Sequence, residues 1–240
     1  MNVLCIPAYS GGSIDGGLPM KQTHGKSLLR HTYEAACQAR DFDQIIVATD
    51  SKDVLDVVQA WGVRGFFSKT RHRHGCHRVA EAVEEIANCA EVVVGLHVTE
   101  PGMPSKYLDK LAKSVWETGE LSTLAGPLEN SLAKKLQTYN PAEVKVVVSK
   151  SGRALYFSRQ HLAGAAKHLG VYGYTCEHLQ RIASMPESPM AAIEQLEQVE
   201  WIDNGLSVSV IPVERSTVAV RTVEELSKWE PPIGFRHVGI

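Results

Sequence analysis

Val3-Leu4-Cys5-Ile6-Pro7-Ala8 decides the fold, because this short apolar run is followed by a glycine-rich loop and then by helical spacing from Ser27 to Ala39. Val3 to Ile6 is too short for a helix and has the uninterrupted apolar character of a strand buried on both faces. The pattern returns at Ile45 to Ala48 and Val92 to Leu96, with helical segments at Asp53 to Trp61, Cys76 to Ala87 and Pro104 to Thr118. Ser51 or Asp53 suits the cap of one helix, and Pro104 the first turn of another. The alternation predicts an α/β protein with a mainly parallel, Rossmann-like sheet flanked by helices on both faces. Ligands of such sheets gather at the carboxyl ends of the strands, which singles out loops 8–25, 68–77 and 97–103.

Beyond about residue 120 the pattern changes. Strands are expected at Val144 to Val148, Ala154 to Phe157, Gly170 to Tyr174 and Ser207 to Val213, with one helix from Met190 to Ile202. This reads as a smaller mixed α/β lobe over 121–213, joined to a main lobe of 1–120 plus 214–240 within one domain. Val218 to Val220 would return to the main sheet, and Thr222 to Lys228 would form a last helix.

At 240 residues, 44% hydrophobic and 22% charged, the chain is long enough for one substantial core or two joined lobes. A net charge of −2 gives no overall attraction to nucleic acid or to anionic membranes, so neither is an expected partner. The five cysteines are odd in number and lack CxxC spacing, which fits a reducing cytoplasm better than a secreted disulfide framework. No run approaches the roughly 18 apolar residues of a membrane span, and the first residues have no leader-like pattern.

The first loop contains Gly11, Gly12, Gly16 and Gly17 but neither the Lys-Ser/Thr ending of a P-loop nor GxGxxG spacing. Its glycines serve an irregular loop as readily as a phosphate cradle. Lys69 to Arg78 holds three histidines and Cys76; HxHxCH is not the spacing of a standard structural zinc site, and a basic solvated loop or an anion site is the plainer reading. Glu194 and Glu197, read by periodicity alone, belong to a solvated helical face.

Taken together, Ile6-Pro7-Ala8, Gly25-Lys26, Ala48-Thr49-Asp50, Gly75 to Arg78, Glu100-Pro101 and Ala154 to Arg159 resemble the CMP-Kdo synthetase family. These are the 3-deoxy-manno-octulosonate cytidylyltransferases. The resemblance runs over nearly the whole chain. It continues through Asn140-Pro141, His168 to Tyr174, Ser188-Pro189 and Ile193 to Gln198. It implies a nucleotidyltransferase sheet, nucleotide contacts at Ala8, Ser10, Gly11, Gly12, Lys26, Gly75 and Arg78, and sugar-acid contacts at Glu100, His168, Tyr172, Glu197 and Gln198. It also implies a homodimer joined through the second lobe, where Tyr156, Phe157 and Tyr172 are either interface or core residues.

Several charged residues of that family are replaced. Tyr9, Ile14 and Leu18 stand where the resemblance places Arg, Arg and Lys, and Thr175 where it places Arg after Tyr174. Thr99 and Arg221 stand at the two positions where it places magnesium-binding Asp residues. Loop cations and a carboxylate-held metal offset the charge that develops on phosphate during transfer, so these changes weaken the same transition state from two sides. The expectation is a homologue without catalytic residues or a metal site of its own, kept for a binding, regulatory or structural role. Its partners would be CTP, a sugar acid, a second copy or an intact synthetase. The alternative is an active cytidylyltransferase with altered metal and phosphate contacts, and only that alternative calls for magnesium. Arg221 in the metal's place as an anion binder, and Arg221 as a surface or internally paired residue, are both open.

Overall fold

Val3, Leu4, Cys5 and Ile6 are fully buried at the centre of β1 (Asn2–Ala8), as a strand covered on both faces must be. The computed structural model describes residues 1–9, 17–128 and 142–232. β1 pairs in parallel with β4 (Gln44–Thr49) on one side and β6 (Val92–Leu96) on the other, and β4 pairs in parallel with β5 (Arg64–Phe67). Two-residue strands β2 (Gln22–Thr23) and β3 (Lys26–Ser27) form a separate ribbon.

The sheet continues beyond β6 through β10 (Ala166–Tyr174), β7 (Ser122–Gly126) and β11 (Ser209–Pro212). β7 and β11 are parallel to each other, while β10 runs antiparallel to both β6 and β7. A hairpin of β8 (Lys145–Val148) and β9 (Ala154–Ser158) joins through β10. Strands from 121–213 therefore extend the same sheet as those from 1–120. The register Val171 to Leu96 has a direct consequence: His168 to Gly170 of β10 lie past the carboxyl end of β6.

Helices cover both faces, as the alternation requires. α1 (Leu28–Ala36), α2 (Lys52–Ala60) and α4 (Ser105–Thr118) pack on one face. α3 (Gly75–Ile86) and α5 (Cys176–Ala183) pack on the other. Ser51 caps α2 by accepting from Val54 N–H at 3.4 Å. α5 was not expected from periodicity. Thr175 starts it with a capping box shared with His178, so the residue that replaces an Arg has a local structural task.

Two expectations need correction. The single helix over 190–202 is two, α6 (Pro189–Glu194) and α7 (Glu197–Asp203), because Gln195 adopts a left-handed conformation at φ 55°, ψ 45°. Val218 to Val220 forms no strand. That segment instead reaches the sheet by one backbone hydrogen bond, Val220 N–H to Thr99 O at 2.7 Å, before Thr222 caps α8 (Val223–Lys228).

Candidate functional site

The carboxyl ends of β1, β4 and β6 open onto one cleft edge. Ala8 ends β1 and is buried, while Tyr9 beside it is 42% exposed. The Tyr9 ring lies 5.2 Å from the guanidinium carbon of Arg78, and Arg78 donates to Asp50 Oδ2 at 2.9 Å. A cation at this corner is thus supplied by α3 and neutralised by the residue that follows β4. Arg78 Nε is buried with no hydrogen-bond partner among the described residues. Burial is the main cause that raises the Tyr9 phenol above its ordinary range.

Leu18 is in the core, so the position of a family lysine has become packing. Lys26 is bound to both oxygens of Glu34 at 2.8 Å, and Arg30 reaches the same fully buried carboxylate at 2.9 Å. Those three bonds hold Glu34 below the usual carboxylate range against the opposing effect of burial. Ser10, Gly11, Gly12 and Ile14 lie outside the described residues.

The basic loop is paired rather than freely solvated. Arg73 contacts Glu187 at 3.0 Å and Glu200 at 3.4 Å, His77 lies 3.8 Å from Glu200, and His72 bonds Glu81 at 2.6 Å. Gly75 begins α3 where an added Cβ would come within 3.4 Å of both His97 and Pro7, which explains its small size. Among the described residues, no group of three or more His, Cys, Asp or Glu side chains is arranged to hold a metal.

Glu197 is the hub of the second cluster. Its carboxylate accepts from Cys76 N–H at 3.0 Å and meets His97 Nε2 at 3.0 Å. Burial works against charge on both groups, but their mutual bond outweighs it: His97 is raised above its ordinary pKa and Glu197 is pushed far down. The break at Gln195 makes this contact available by turning Glu197 inward. Glu194, far from being a solvated residue, accepts from Tyr156, Ser158 and the Arg159 backbone.

His168, Tyr172, Glu197 and Gln198 are buried together beneath His97, whose side chain remains 32% exposed. His168 stacks on Tyr172 at 5.3 Å, and Tyr172 packs edge-on against His97 at 5.6 Å. Gln198 donates to the Tyr172 hydroxyl. Thr123 donates its hydroxyl proton to Val171 O at 2.7 Å, so it accepts from His168 Nε2 at 3.0 Å. Burial pulls His168 down to about 3 and keeps it neutral. Tyr172 and Phe157 are core residues, not interface residues; Tyr156 is half-buried.

Glu100 is equally committed. Its two oxygens accept from Gly170 N–H at 3.0 Å and from the Thr217 hydroxyl at 2.7 Å, clasping β10 and the 213–222 segment to the end of β6. A family model described as cytidylyltransferase matches residues 17–208. The chain is 31% identical to the 3-deoxy-manno-octulosonate cytidylyltransferase of Thermodesulfovibrio yellowstonii over 96% of this chain and 97% of that one. Its counterpart from Syntrophobacter fumaroxidans is 32% identical, with 98% and 97% covered.

The chain belongs to the CMP-Kdo synthetase family. A solved CMP:2-keto-3-deoxy-manno-octonic acid synthetase complexed with CTP superposes with a TM-score of 0.83 at 29% identity, covering 95% of each chain. A 4-diphosphocytidyl-2C-methyl-D-erythritol synthase, at TM-score 0.64 and 14% identity over 94% of each chain, shares the fold.

Thr99 and Arg221, at the positions where the resemblance implies metal-binding carboxylates, supply a hydroxyl and a guanidinium, and the bond from Val220 N–H to Thr99 O joins their two segments. The neighbouring carboxylates Glu100 and Glu197 are already bonded through both oxygens. Magnesium at a nucleotide site is usually held by one or two carboxylates together with waters and phosphates, and a hydroxyl with a guanidinium does not fit that set. Asp50 and His97 lie in segments that the sequence singles out, whereas Glu34 does not. Glu34 looks like an ordinary surface charge by composition, and only the folded contacts distinguish it.

Proposed function

We propose that this chain is a ligand-binding member of the CMP-Kdo synthetase family. It takes a cytidine nucleotide and a Kdo-like sugar acid at the strand ends and does not carry out magnesium-assisted CMP transfer. The observation that carries the reading is that Thr99 and Arg221 stand where the resemblance implies metal-binding carboxylates, while Glu100 and Glu197 are engaged through both oxygens. Transfer needs a sugar hydroxyl to attack the nucleotide α-phosphate and pyrophosphate to leave, with positive charge placed to stabilise both. Tyr9 and Leu18 supply none, Lys26 is engaged by Glu34, and Arg78 by Asp50. Glu197 fixes the position and charge of His97, and Tyr172 packs edge-on against it.

The test is a pyrophosphate-release assay with CTP and 3-deoxy-manno-octulosonate, beside calorimetric titration of each ligand. Binding without release is expected. Sustained magnesium-dependent turnover would overturn the reading.

A second reading, active transfer with changed contacts, is favoured by Arg221, whose half-buried side chain has no hydrogen-bond or ion-pair partner among the described residues. Turnover in the presence of EDTA would support it. For assembly we propose a homodimer through the exposed apolar residues Leu155, Met190 and Ile193, with an intact synthetase as the alternative partner. No helix among the described residues is long and apolar enough to cross a membrane. Five free cysteines favour the cytoplasm as the working compartment.

A further inference from the structure

Two thiols come together where the chain leaves α3 and enters β6. Cys89 is exposed in the turn from Ala87 to Ala90, which Ala90 N–H closes by donating to Ala87 O at 2.9 Å. Cys176, the first residue of α5, is half-buried, and its Sγ donates to Ala90 O at 3.0 Å. The accepting carbonyl belongs to the chain neighbour of Cys89, whose Cα lies about 3.8 Å from that of Ala90.

The sheet explains this meeting. Tyr174 of β10 pairs antiparallel with Val93 of β6, and the same register carried two residues further sets Cys176 opposite Glu91. Glu91 is held from its other side, by its N–H to Met1 O at 2.8 Å and its carboxylate to the Met1 ammonium at 2.9 Å. The Thr175 capping box fixes the first turn of α5, with Cys176 in it. Backbone bonds thus hold both segments, and the exposed Cys89 side chain is free to change rotamer toward its neighbour.

The other three cysteines have no such arrangement. Cys5 and Cys76 are buried, which raises Cys5 to about 12 and Cys76 well above its ordinary value. Cys37 caps the end of α1, and the sheet separates it from α5. Burial also raises Cys176, and the nearby Cys89 adds to the rise, so Cys176 is a poor first nucleophile. Cys89 is the thiol of the two that solvent and oxidant reach.

We propose that Cys89 and Cys176 are a redox-modification site, closing a reversible disulfide between the α3–β6 turn and the start of α5 when a peroxide oxidises them. The Cys89 sulfur attacks one peroxide oxygen and the O–O bond breaks, giving a sulfenic acid and water. The Cys176 sulfur then attacks the Cys89 sulfur; the S–O bond breaks, and the departing hydroxide takes the thiol proton as a second water. The two sulfurs lose one electron each, and the peroxide gains both. In a reducing compartment such a bond is transient, restored to two thiols by exchange with a cellular thiol such as glutathione. The site lies at the amino end of β6, away from the cleft at the carboxyl ends, and is independent of what the cleft binds.

The experiment treats the whole reduced chain with hydrogen peroxide at neutral pH, blocks the remaining thiols with iodoacetamide and maps the peptides by mass spectrometry without reductant. A Cys89–Cys176 peptide pair lighter by two hydrogen atoms is expected, with two of the five thiols lost, a single-chain mass on a non-reducing gel and full reversal by dithiothreitol. Cys176→Ser should leave a Cys89 sulfenic acid open to dimedone, and Cys89→Ser should leave Cys176 a thiol. Thermal melts establish that each variant is folded; the midpoint should rise on oxidation of wild type and stay unchanged in Cys89→Ser, whose exposed substitution leaves the fold intact. Sulfenic or over-oxidised Cys89 beside an alkylated Cys176 in wild type would overturn the pair. So would a Cys89–Cys89 link between two copies, or a thiol count unchanged by peroxide.

Discussion

His97 and His168 lie on the same strand ends but respond oppositely to acid. His97 is raised by Glu197, so its contribution to stability is complete below the unfolded value of 6.5 and is lost as pH rises through its higher folded value. His168 is lowered to about 3, so acidification below 6.5 protonates the unfolded chain first and costs stability. At pH 5 that cost is roughly 2 kcal/mol, from about 1.5 pH units at 1.36 kcal/mol each. Urea unfolding between pH 5 and 8 should show the acid-side fall flattened in His168→Asn and the alkaline-side fall flattened in His97→Asn; unchanged slopes in both would contradict these environments. Glu197→Gln should return the His97 pKa toward or below its ordinary value, followed by NMR titration of the imidazole. An unshifted His97 would show that Glu197 does not hold its charge.

Between α6 and α7 the chain changes direction at a residue whose backbone is costly for any side chain. Gln195 has φ 55° without the freedom of glycine. Gln195→Gly should therefore stabilise the protein by about 0.5–1 kcal/mol, and Gln195→Val should destabilise it by more than that, read as shifts in the urea midpoint. At the start of α5, Thr175→Ala removes the hydroxyl that accepts from His178 N–H at 3.3 Å and should cost about 1 kcal/mol. Both substitutions bear on function through placement: the Gln195 turn presents Glu197 to His97, and α5 covers the face opposite α1 and α4. A Gln195→Gly protein with unaltered stability would mean that the left-handed conformation is not held in solution.

Across the whole molecule, the apolar surface of the β9–α6 region sets the expected assembly. Ile193 is 84% exposed and Leu155 57%, while Glu194 ties α6 to the end of β9. Light scattering should give twice the chain mass for wild type and a single chain mass for Ile193→Asp; a wild-type monomer would remove the proposed dimer. The parallel frame was legible because Val3 to Ile6, Ile45 to Ala48 and Val92 to Leu96 are continuous apolar runs, which only a doubly covered strand accommodates. β7 was not legible, since Ser122 and Thr123 read as polar; inside, Thr123 meets its needs with His168 and Val171. The helix break at Gln195 was hidden for a related reason, as no glycine or proline marks it. Sequence by itself determined the sheet, the family and the replacement of two carboxylates by Thr99 and Arg221, because local periodicity and residue identity are properties of the chain. Only the tertiary structure decided that Glu100, Glu197, Glu34 and Asp50 are already committed, because pairing depends on which distant strand ends the fold brings together.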